Sequence, residues 1–228
     1  YTLSLHDALP IYVVAARAMR SGDAMIGRRF AAVAALVAFT LAGCASTPKP
    51  AGQCHIGIYG LAGGGLVDVA PTDVALRWRL MDGRSGELRP GGDGGWTSTL
   101  GWTGRPDGTQ VSFGDCPDGR IRFAGEDGAR LPLLSQDTTF VGAGGVRLAG
   151  RLVMPAGSGP VPVVVMVHGS ESTSAQRYYA EQRLFPANGV GVFVYDKRGT
   201  GASKGKYTQD FEVLSDDAVA AVAQARRL

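Results

Sequence analysis

Two stretches of this chain decide its fold, and the first is Val161-Pro162-Val163-Val164-Val165-Met166-Val167-His168-Gly169. The second is Gly191-Val192-Phe193-Val194-Tyr195-Asp196-Lys197-Arg198-Gly199-Thr200-Gly201-Ala202-Ser203. Each begins with a continuous apolar run of the kind found in strands that are buried on both faces of a parallel sheet. Each run ends in a turn that contains glycine. The pair therefore predicts two buried strands, each followed by a loop that carries polar side chains.

The segments around these strands predict their setting. From residue 138 onward, two strand-like segments at 138–141 and 146–154 are joined by a glycine-rich turn and predict a hairpin. Ser174 is a candidate N-cap for an amphipathic stretch that runs to about residue 188, with a break expected at Pro186. Apolar residues at spacings of three and four predict a last helix near the C-terminus. The order hairpin, strand, helix, strand, helix is typical of an α/β class with a partly parallel sheet.

The loop after the second strand carries the more specific signal. Its sequence, Asp196-Lys197-Arg198-Gly199-Thr200-Gly201-Ala202-Ser203, has the form D-x-R-G-x-G-x-S. The glycines Gly199 and Gly201 permit a tight turn after the strand. We expect Asp196 and Arg198 to cross-link the loop by hydrogen bonds and an ion pair. An ordinary turn would explain the two glycines but not the whole string beside a buried strand.

Combined with His168-Gly169, which lies one helix earlier, this loop resembles the α/β-hydrolase superfamily. Within that superfamily the motifs are similar to those of the bacterial esterase and dipeptidyl-aminopeptidase/acylaminoacyl-peptidase-like branch. The resemblance covers residues 138–228 and implies a truncated hydrolase domain at 136–228. The implied fold class is α/β, with the first four strands and first two helices of an α/β-hydrolase sheet after a small antiparallel β domain.

The resemblance implies acyl-transfer chemistry and assigns a role to the first loop. These hydrolases stabilise the oxyanion of the reaction with a backbone N–H from the loop after the third strand, paired with the N–H that follows the nucleophile. Here His168, Gly169 and Ser170 form the oxyanion-hole loop, with the Ser170 amide as the expected donor and Gly169 shaping the turn. Because the donor is a backbone group, the identity of the Ser170 side chain is secondary.

The catalytic triad of such an enzyme is expected outside this sequence. Gly169-Ser170-Glu171-Ser172 is not Gly-x-Ser-x-Gly and follows the wrong strand, so neither serine is assigned as the nucleophile. His168 is interpreted as structural, since the triad of this fold follows the chain order Ser, Asp, His. We expect all three residues after Leu228, and therefore an inactive fragment, with no cofactor or metal. In the family's strand order, Val161–Val167 would then have one unpaired edge, which is an aggregation liability.

Residues 53–135 are rich in glycine and in short alternating segments, which predict a small antiparallel β domain. A turn near residues 82–86 predicts a hairpin within it. Cys54 and Cys116 are the expected disulfide, because pairing is the default for two cysteines in an oxidising compartment. A zinc site of Cys54, His55 and Cys116 is the alternative, but it lacks a fourth ligand and a closely spaced pair of ligands.

The N-terminal residues are predicted to be processing segments. Residues 1–11 match the translation of a sequencing-library adapter and are set aside as an artefact, although a natural segment could have the same sequence. Residues 12–43 form a leader whose basic region and short apolar run are typical of a secretory signal. Leu41-Ala42-Gly43-Cys44 resembles the lipobox of bacterial lipoproteins, which implies that Cys44 is lipidated. An ordinary signal peptide with an incidental cysteine is the alternative, and residues 44–52 predict a flexible tether.

Charge and resemblance together give the expected function. The net charge is +3, but the leader holds more basic than acidic groups, so the rest is nearly neutral and gives no electrostatic reason to expect nucleic acid binding. We expect a serine hydrolase of the esterase or peptidase type that acts on a small-molecule ester or a peptide through an acyl-enzyme. It would be anchored by lipid in the bacterial envelope, facing the periplasm or on the outer membrane. The alternative is a non-catalytic, lipid-anchored binding protein with a degenerate hydrolase scaffold.

Overall fold

The computed structural model describes residues 11–15, 52–73, 75–91, 95–157 and 159–228. These residues form a closed antiparallel barrel and a five-stranded mixed sheet with helices on both faces. The predicted α/β class is wrong for the chain, because eight strands close into a barrel and the remaining sheet mixes parallel with antiparallel pairs. Cys44, the predicted lipidation site, lies outside the described residues.

The barrel consists of short strands, each of which pairs with antiparallel neighbours. In chain order they are β2 (Gly57–Leu61), β3 (Leu66–Pro71), β4 (Leu76–Leu80), β5 (Ser85–Pro90), β6 (Trp96–Thr99), β7 (Pro106–Phe113), β8 (Arg120–Phe123) and β9 (Glu126–Arg130). Pairing of β2 with β9 closes the barrel, so that each strand has two hydrogen-bonded neighbours. Alternate residues such as Leu76 and Trp78 point into one apolar core. The hairpin predicted from the sequence is present as β4 and β5.

A disulfide braces the barrel from outside its core. Cys54, just before β2, is bonded to Cys116 in the turn between β7 and β8, which confirms the predicted pair. Since the two sulfurs are bonded to each other, they are not metal ligands in this structure. His55 instead stacks face to face on Phe113, with ring centroids 4.3 Å apart. The crosslink joins residues 62 positions apart and so lowers the entropy of the unfolded chain.

The second unit is a sheet with three helices. Its strands are β1 (Ile11–Ala15), β10 (Leu133–Val141), β11 (Arg147–Pro155), β12 (Val163–Val167) and β13 (Gly191–Tyr195), and its helices are α1 (Ala175–Tyr178), α2 (Glu181–Ala187) and α3 (Phe211–Arg227). The strand order is β1-β12-β13-β11-β10. The predicted hairpin and the two predicted buried strands are confirmed. Because β12 and β13 pair in parallel, their carboxyl ends lie at the same end of the sheet.

Both edges of β12 are paired, so the prediction of an unpaired edge is wrong. Strand β1 lies parallel to β12, with Ile11 opposite Val163 and Ala15 opposite Val167. An apolar strand edge is a template for another strand, and the sequence of β1, Ile-Tyr-Val-Val-Ala, is rich in residues that favour strands. Residue 11 of the segment set aside as an artefact and residues 12–15 of the predicted leader therefore form part of this sheet.

Successive residues of β12 face opposite layers of helices. Val165 shares a core with Ala221 of α3, whereas Val164 and Met166 pack in a second core with Ala175 of α1. This alternation follows from the pleat of the strand, and it explains why a continuous apolar run is needed here. In the part of the chain that the structure describes, no helix combines the length and apolar character needed to cross a membrane.

The amphipathic stretch after β12 forms two short helices. Ser174 Oγ accepts a hydrogen bond from the backbone N–H of Arg177, which confirms the predicted N-cap. The break falls at Tyr179, which is extended, whereas Pro186 lies inside α2. The expectation of a break at Pro186 is therefore wrong. Contacts from outside the helix hold the observed break, because Arg77 of the barrel donates to the Tyr178 carbonyl oxygen at 2.8 Å.

The barrel packs on α2 through a buried ion pair. Asp68 of β3 accepts hydrogen bonds from Arg183 of α2, at 2.5 Å from Nε and 3.1 Å from Nη2, and its side chain is 1% exposed. Apolar side chains of both units form a shared cluster, among them Ile58 of β2 and Leu184 of α2. The barrel therefore holds the helices that follow the loop at the end of β12.

We predict that Arg183→Met lowers the free energy of unfolding by about 3–5 kcal/mol, because it leaves the Asp68 carboxylate buried without its partner. The matched control is Arg151→Met, which removes a pair with Asp137, whose side chain is 71% exposed. That change should cost at most about 1 kcal/mol. Urea unfolding followed by tryptophan fluorescence measures both. Equal losses in the two variants would contradict a buried, structural role for the Asp68 pair.

Candidate active site

The ends of β12 and β13 place two loops side by side. Because the strands are parallel neighbours, loop 168–174 and loop 196–210 both begin at the carboxyl ends of the strands. Open sheets commonly bind ligands at these ends. Four polar contacts connect the loops. Lys197 Nζ donates to Gly169 O at 2.7 Å, Thr200 Oγ1 lies 3.4 Å from His168 Nε2, Tyr207 OH donates to Ser170 O, and Ser174 Oγ donates to Asp196 Oδ1. The structure thus brings the two sequence motifs together in one site.

Two neighbouring backbone amides at the start of the first loop differ in their partners. Gly169 N–H donates to the Tyr179 hydroxyl at 3.1 Å, and that hydroxyl donates to Glu171 Oε1 at 2.5 Å. Ser170 is exposed, and within the described part of the chain its N–H has no hydrogen-bond partner. The amide that the sequence predicts as the oxyanion donor is therefore available, whereas the neighbouring amide is occupied.

The Glu171 carboxylate lies against this loop. A side chain at Gly169 would collide with Glu171 Oε2, so glycine allows the close approach. Burial alone would raise the pKa of Glu171, but the hydrogen bond from Tyr179 and the nearby His168 and Lys197 lower that pKa below its ordinary value. Burial and the Glu171 contact in turn raise the pKa of Tyr179. At neutral pH the site therefore holds an ionised carboxylate beside a protonated phenol.

His168 fills the space beneath the loop. The residue is buried, and its ring lies 5.9 Å from the Tyr179 ring, measured between centroids. Its Nδ1 is buried and has no hydrogen-bond partner among the described residues. Burial lowers the pKa of His168, and the positive charge of Lys197 lowers it further, so the ring is neutral at neutral pH. The contacts of His168 are those of a packing residue.

Asp196 fastens the second loop to the start of α1. Its Oδ1 accepts from Ser174 Oγ at 2.8 Å and from Gln176 N at 3.2 Å. Its Oδ2 accepts from Gln176 Nε2 at 3.1 Å and from Ala202 N at 3.0 Å. Because every one of these bonds joins protein groups, the carboxylate is part of the scaffold that fixes both loops.

Arg198 pairs with Asp217 of α3, and the expected ion pair between Asp196 and Arg198 is absent among the described residues. Nε and Nη2 of Arg198 reach the Asp217 carboxylate at 2.8 and 2.7 Å, and Nη2 also donates to Ala143 O at 2.9 Å. The Asp217 side chain is 1% exposed, and its hydrogen bonds raise the pKa of Arg198. The motif arginine therefore ties its loop to α3 and to the hairpin turn. The spacing of Arg198 and Asp217 in the sequence did not predict this ion pair.

The two motif glycines are required by close approach as well as by backbone conformation. Gly199 has φ +71° and Gly201 has φ +49°, in the left-handed region that favours glycine. A side chain at Gly199 would collide with the backbone of Tyr207, and one at Gly201 with the Asp196 carboxylate. The loop can therefore fold over Asp196 only with glycine at these positions.

Ser203 is the last residue of the D-x-R-G-x-G-x-S motif, and Gly201-Ala202-Ser203-Lys204-Gly205 also has the form Gly-x-Ser-x-Gly of a hydrolase nucleophile. The structure excludes that role. Ser203 is buried, and its hydroxyl donates to Asp196 O and accepts from Ala149 N at 2.9 Å. It also lies in a loop of turns, whereas a nucleophile elbow joins a strand directly to a helix.

Comparison with known proteins finds a family match for the part of the chain that holds this site. Residues 144–226 match the X-Pro dipeptidyl-peptidase (S15 family). The chain is 35% identical over 98 residues to Esterase FrsA of Enterobacter sp. (strain 638), a match that covers 42% of this chain and 24% of the relative. It is 34% identical over 90 residues to Esterase FrsA of Escherichia coli (strain K12 / DH10B), which covers 39% and 22%. The chain thus spans about a quarter of the length of these curated relatives.

Two solved structures are similar to parts of the chain. A hypothetical protein, PA2218 from Pseudomonas aeruginosa, has a TM-score of 0.37 at 20% identity and covers 42% of this chain and 31% of its own. The acylaminoacyl peptidase of Pyrococcus horikoshii has a TM-score of 0.33 at 16% identity and covers 73% and 30%.

The sequence matches link residues 144–226 to the esterase and peptidase branch of the α/β-hydrolase superfamily. The resemblance carried by the two motifs is therefore confirmed for this region, although the fold class inferred from it is wrong for the chain.

Proposed function

We propose that the full-length protein is a serine hydrolase that cleaves a small-molecule ester or a peptide through an acyl-enzyme. The match to a peptidase family and the relatives named esterase support hydrolysis as the chemistry. The observation that carries the proposal is that Ser170 is exposed after the end of β12, beside the D-x-R-G-x-G-x-S loop, and that its N–H has no partner among the described residues.

The proposed chemistry gives this part of the chain one defined task. When a serine hydroxyl attacks the substrate carbonyl carbon, the carbonyl oxygen gains negative charge, which preorganised N–H groups stabilise. The Ser170 N–H would donate one hydrogen bond to that oxygen, and the N–H after the nucleophile would donate the second. The nucleophile, base and acid of the proposed enzyme would follow this region in the chain order Ser, Asp, His that the family implies.

We predict that Ser170→Pro in the full-length protein lowers kcat by about 10²–10³-fold, because proline removes the donor N–H. KM should change little, since the lost hydrogen bond forms with the charge of the transition state. Hydrolysis of p-nitrophenyl esters and of aminoacyl and dipeptidyl p-nitroanilides measures the effect and separates esterase from peptidase activity.

The matched control is Ser170→Ala, which keeps the backbone N–H and should keep kcat within a few-fold of the original. Both variants should show the same thermal unfolding midpoint, so that a folding defect is excluded. If Ser170→Pro retains full activity, Ser170 is not the oxyanion donor. If the unaltered full-length protein neither hydrolyses these substrates nor reacts with a fluorophosphonate probe, a non-catalytic binding protein replaces the hydrolase.

We further propose that Cys44 carries a lipid that anchors the protein in the bacterial envelope. Support comes from the sequence alone, where Leu41-Ala42-Gly43-Cys44 ends an apolar run after two arginines. An anchor at Cys44 would leave the short tether 44–52 between the membrane surface and the barrel. The cleavage before Cys44 that accompanies lipidation would remove β1 from the sheet.

Lipidation predicts that the protein expressed in a Gram-negative host incorporates an alkyne analogue of palmitate and is recovered with the membranes. Cys44→Ser should abolish both the label and the membrane association. Cys54→Ser is the matched control, since it removes a cysteine from the disulfide and should leave the label in place. Equal labelling of the original protein and Cys44→Ser would contradict the proposal.

A further inference from the structure

Lys197 carries a buried positive charge that the proposed mechanism does not yet use. The residue is 2% exposed, although lysine is rarely buried without an ion pair. Among the described residues, its ammonium forms no salt bridge; it donates to Gly169 O at 2.7 Å and lies 4.6 Å from the centre of the Tyr207 ring. A buried charge costs free energy unless its contacts compensate, so its placement points to a function.

The atom that Lys197 contacts belongs to the peptide unit of the candidate oxyanion donor. The carbonyl oxygen of Gly169 and the N–H of Ser170 are the two ends of one planar peptide group. In a trans peptide they point in opposite directions, and the structure has no cis peptide bond among its described residues. A cation on the carbonyl oxygen therefore fixes the direction of the N–H. It also polarises the amide, which makes the N–H a stronger donor.

The peptide units on either side are held by separate contacts. The Tyr179 hydroxyl accepts from Gly169 N–H at 3.1 Å, and the Tyr207 hydroxyl donates to Ser170 O. Tyr207 also offers its ring face to the Lys197 ammonium, so one residue braces both the lysine and the loop. Three consecutive peptide units are thus fixed, and the N–H of the central one has no partner among the described residues.

We propose that Lys197 is a positioning residue, which holds the Gly169–Ser170 peptide by its carbonyl oxygen so that the Ser170 N–H is aimed and polarised for an oxyanion. This inference rests on the proposed function for its catalytic consequence, but its geometric part concerns only the loop. Lys197 occupies a variable position of the D-x-R-G-x-G-x-S motif, so the motif itself assigns it no role.

The charge of Lys197 makes its contact with the Gly169 carbonyl oxygen dependent on pH. Burial lowers the pKa of Lys197, against smaller opposing effects of Tyr207 and Glu171, and His168 also faces the ammonium. The ammonium therefore loses its proton below the ordinary lysine range, which centres at about 10.4. As the pH rises through this transition, the Gly169 carbonyl should lose its cationic partner and the Ser170 N–H its polarisation.

The direct test is carbonyl ¹³C NMR of the 228-residue chain, because this signal does not depend on amide protons that exchange at high pH. We expect the Gly169 carbonyl and the Ser170 amide to shift in Lys197→Met. The Gly169 carbonyl of the original chain should show an alkaline titration that is absent in this variant. Lys206→Met is the matched control, since it removes an exposed lysine from the same loop and should leave both signals in place.

The second test measures hydrolysis by the full-length protein. Lys197→Met should lower kcat by about 10–100-fold with KM nearly unchanged, a part of the roughly 10²–10³-fold effect of losing an oxyanion donor. Lys197→Arg, which keeps the cation, should recover most of that loss. Lys206→Met should retain full activity.

The outcomes separate the two proposals. Unchanged Gly169 and Ser170 signals in a folded Lys197→Met chain overturn the positioning role. If the signals shift as expected but the full-length protein shows no hydrolysis, the positioning contact stands and the proposed function fails. If Lys197→Met does not fold, the alkaline titration of the Gly169 carbonyl in the original chain tests the positioning role of Lys197. Lys197→Arg then serves as the variant for comparison. Absence of a carbonyl shift through that pH range then overturns the inference.

Discussion

Parallel pairing between β12 and β13 brings the carboxyl ends of the two strands side by side. The contacts of the candidate site depend on this pairing. The register is fixed by burial on both faces, because Val165 belongs to the core under α3 while Val164 and Met166 belong to the core under α1. A slip of one residue would exchange these faces. The two loops could then no longer meet through Lys197 and Gly169.

The rest of the molecule holds these loops from several sides. Asp196 fastens the second loop to α1, and Arg198 fastens it to α3 through Asp217. The barrel contributes from further away, since Arg183 and Asp68 lock α2 against β3. These polar groups are buried and mutually satisfied, which makes them scaffold. Ser170 differs from them because it is exposed and, among the described residues, its N–H is left without a partner.

Local signals predicted local structure well. The apolar run of β12, the N-cap at Ser174, the hairpin of β10 and β11 and the disulfide of Cys54 with Cys116 each depend on residues close in sequence or on simple pairing, and all are present. Long-range choices were not predictable. Closure of the barrel depends on β2 meeting β9, and β1 fills an edge of β12 from a distant segment. Arg198 prefers Asp217 over Asp196 because the fold, not the motif, decides which carboxylate is near. The contact of Lys197 with Gly169 was not predictable for the same reason.

The central claim is that the Ser170 N–H receives the oxyanion. A crystal structure of the full-length protein after reaction with a fluorophosphonate tests it most directly, because the phosphonyl oxygen occupies the place of the oxyanion. We expect that oxygen about 2.7–3.1 Å from the Ser170 nitrogen, with Lys197 Nζ still on Gly169 O. A phosphonyl oxygen bound by other donors, with the Ser170 N–H turned away from it, would contradict the account.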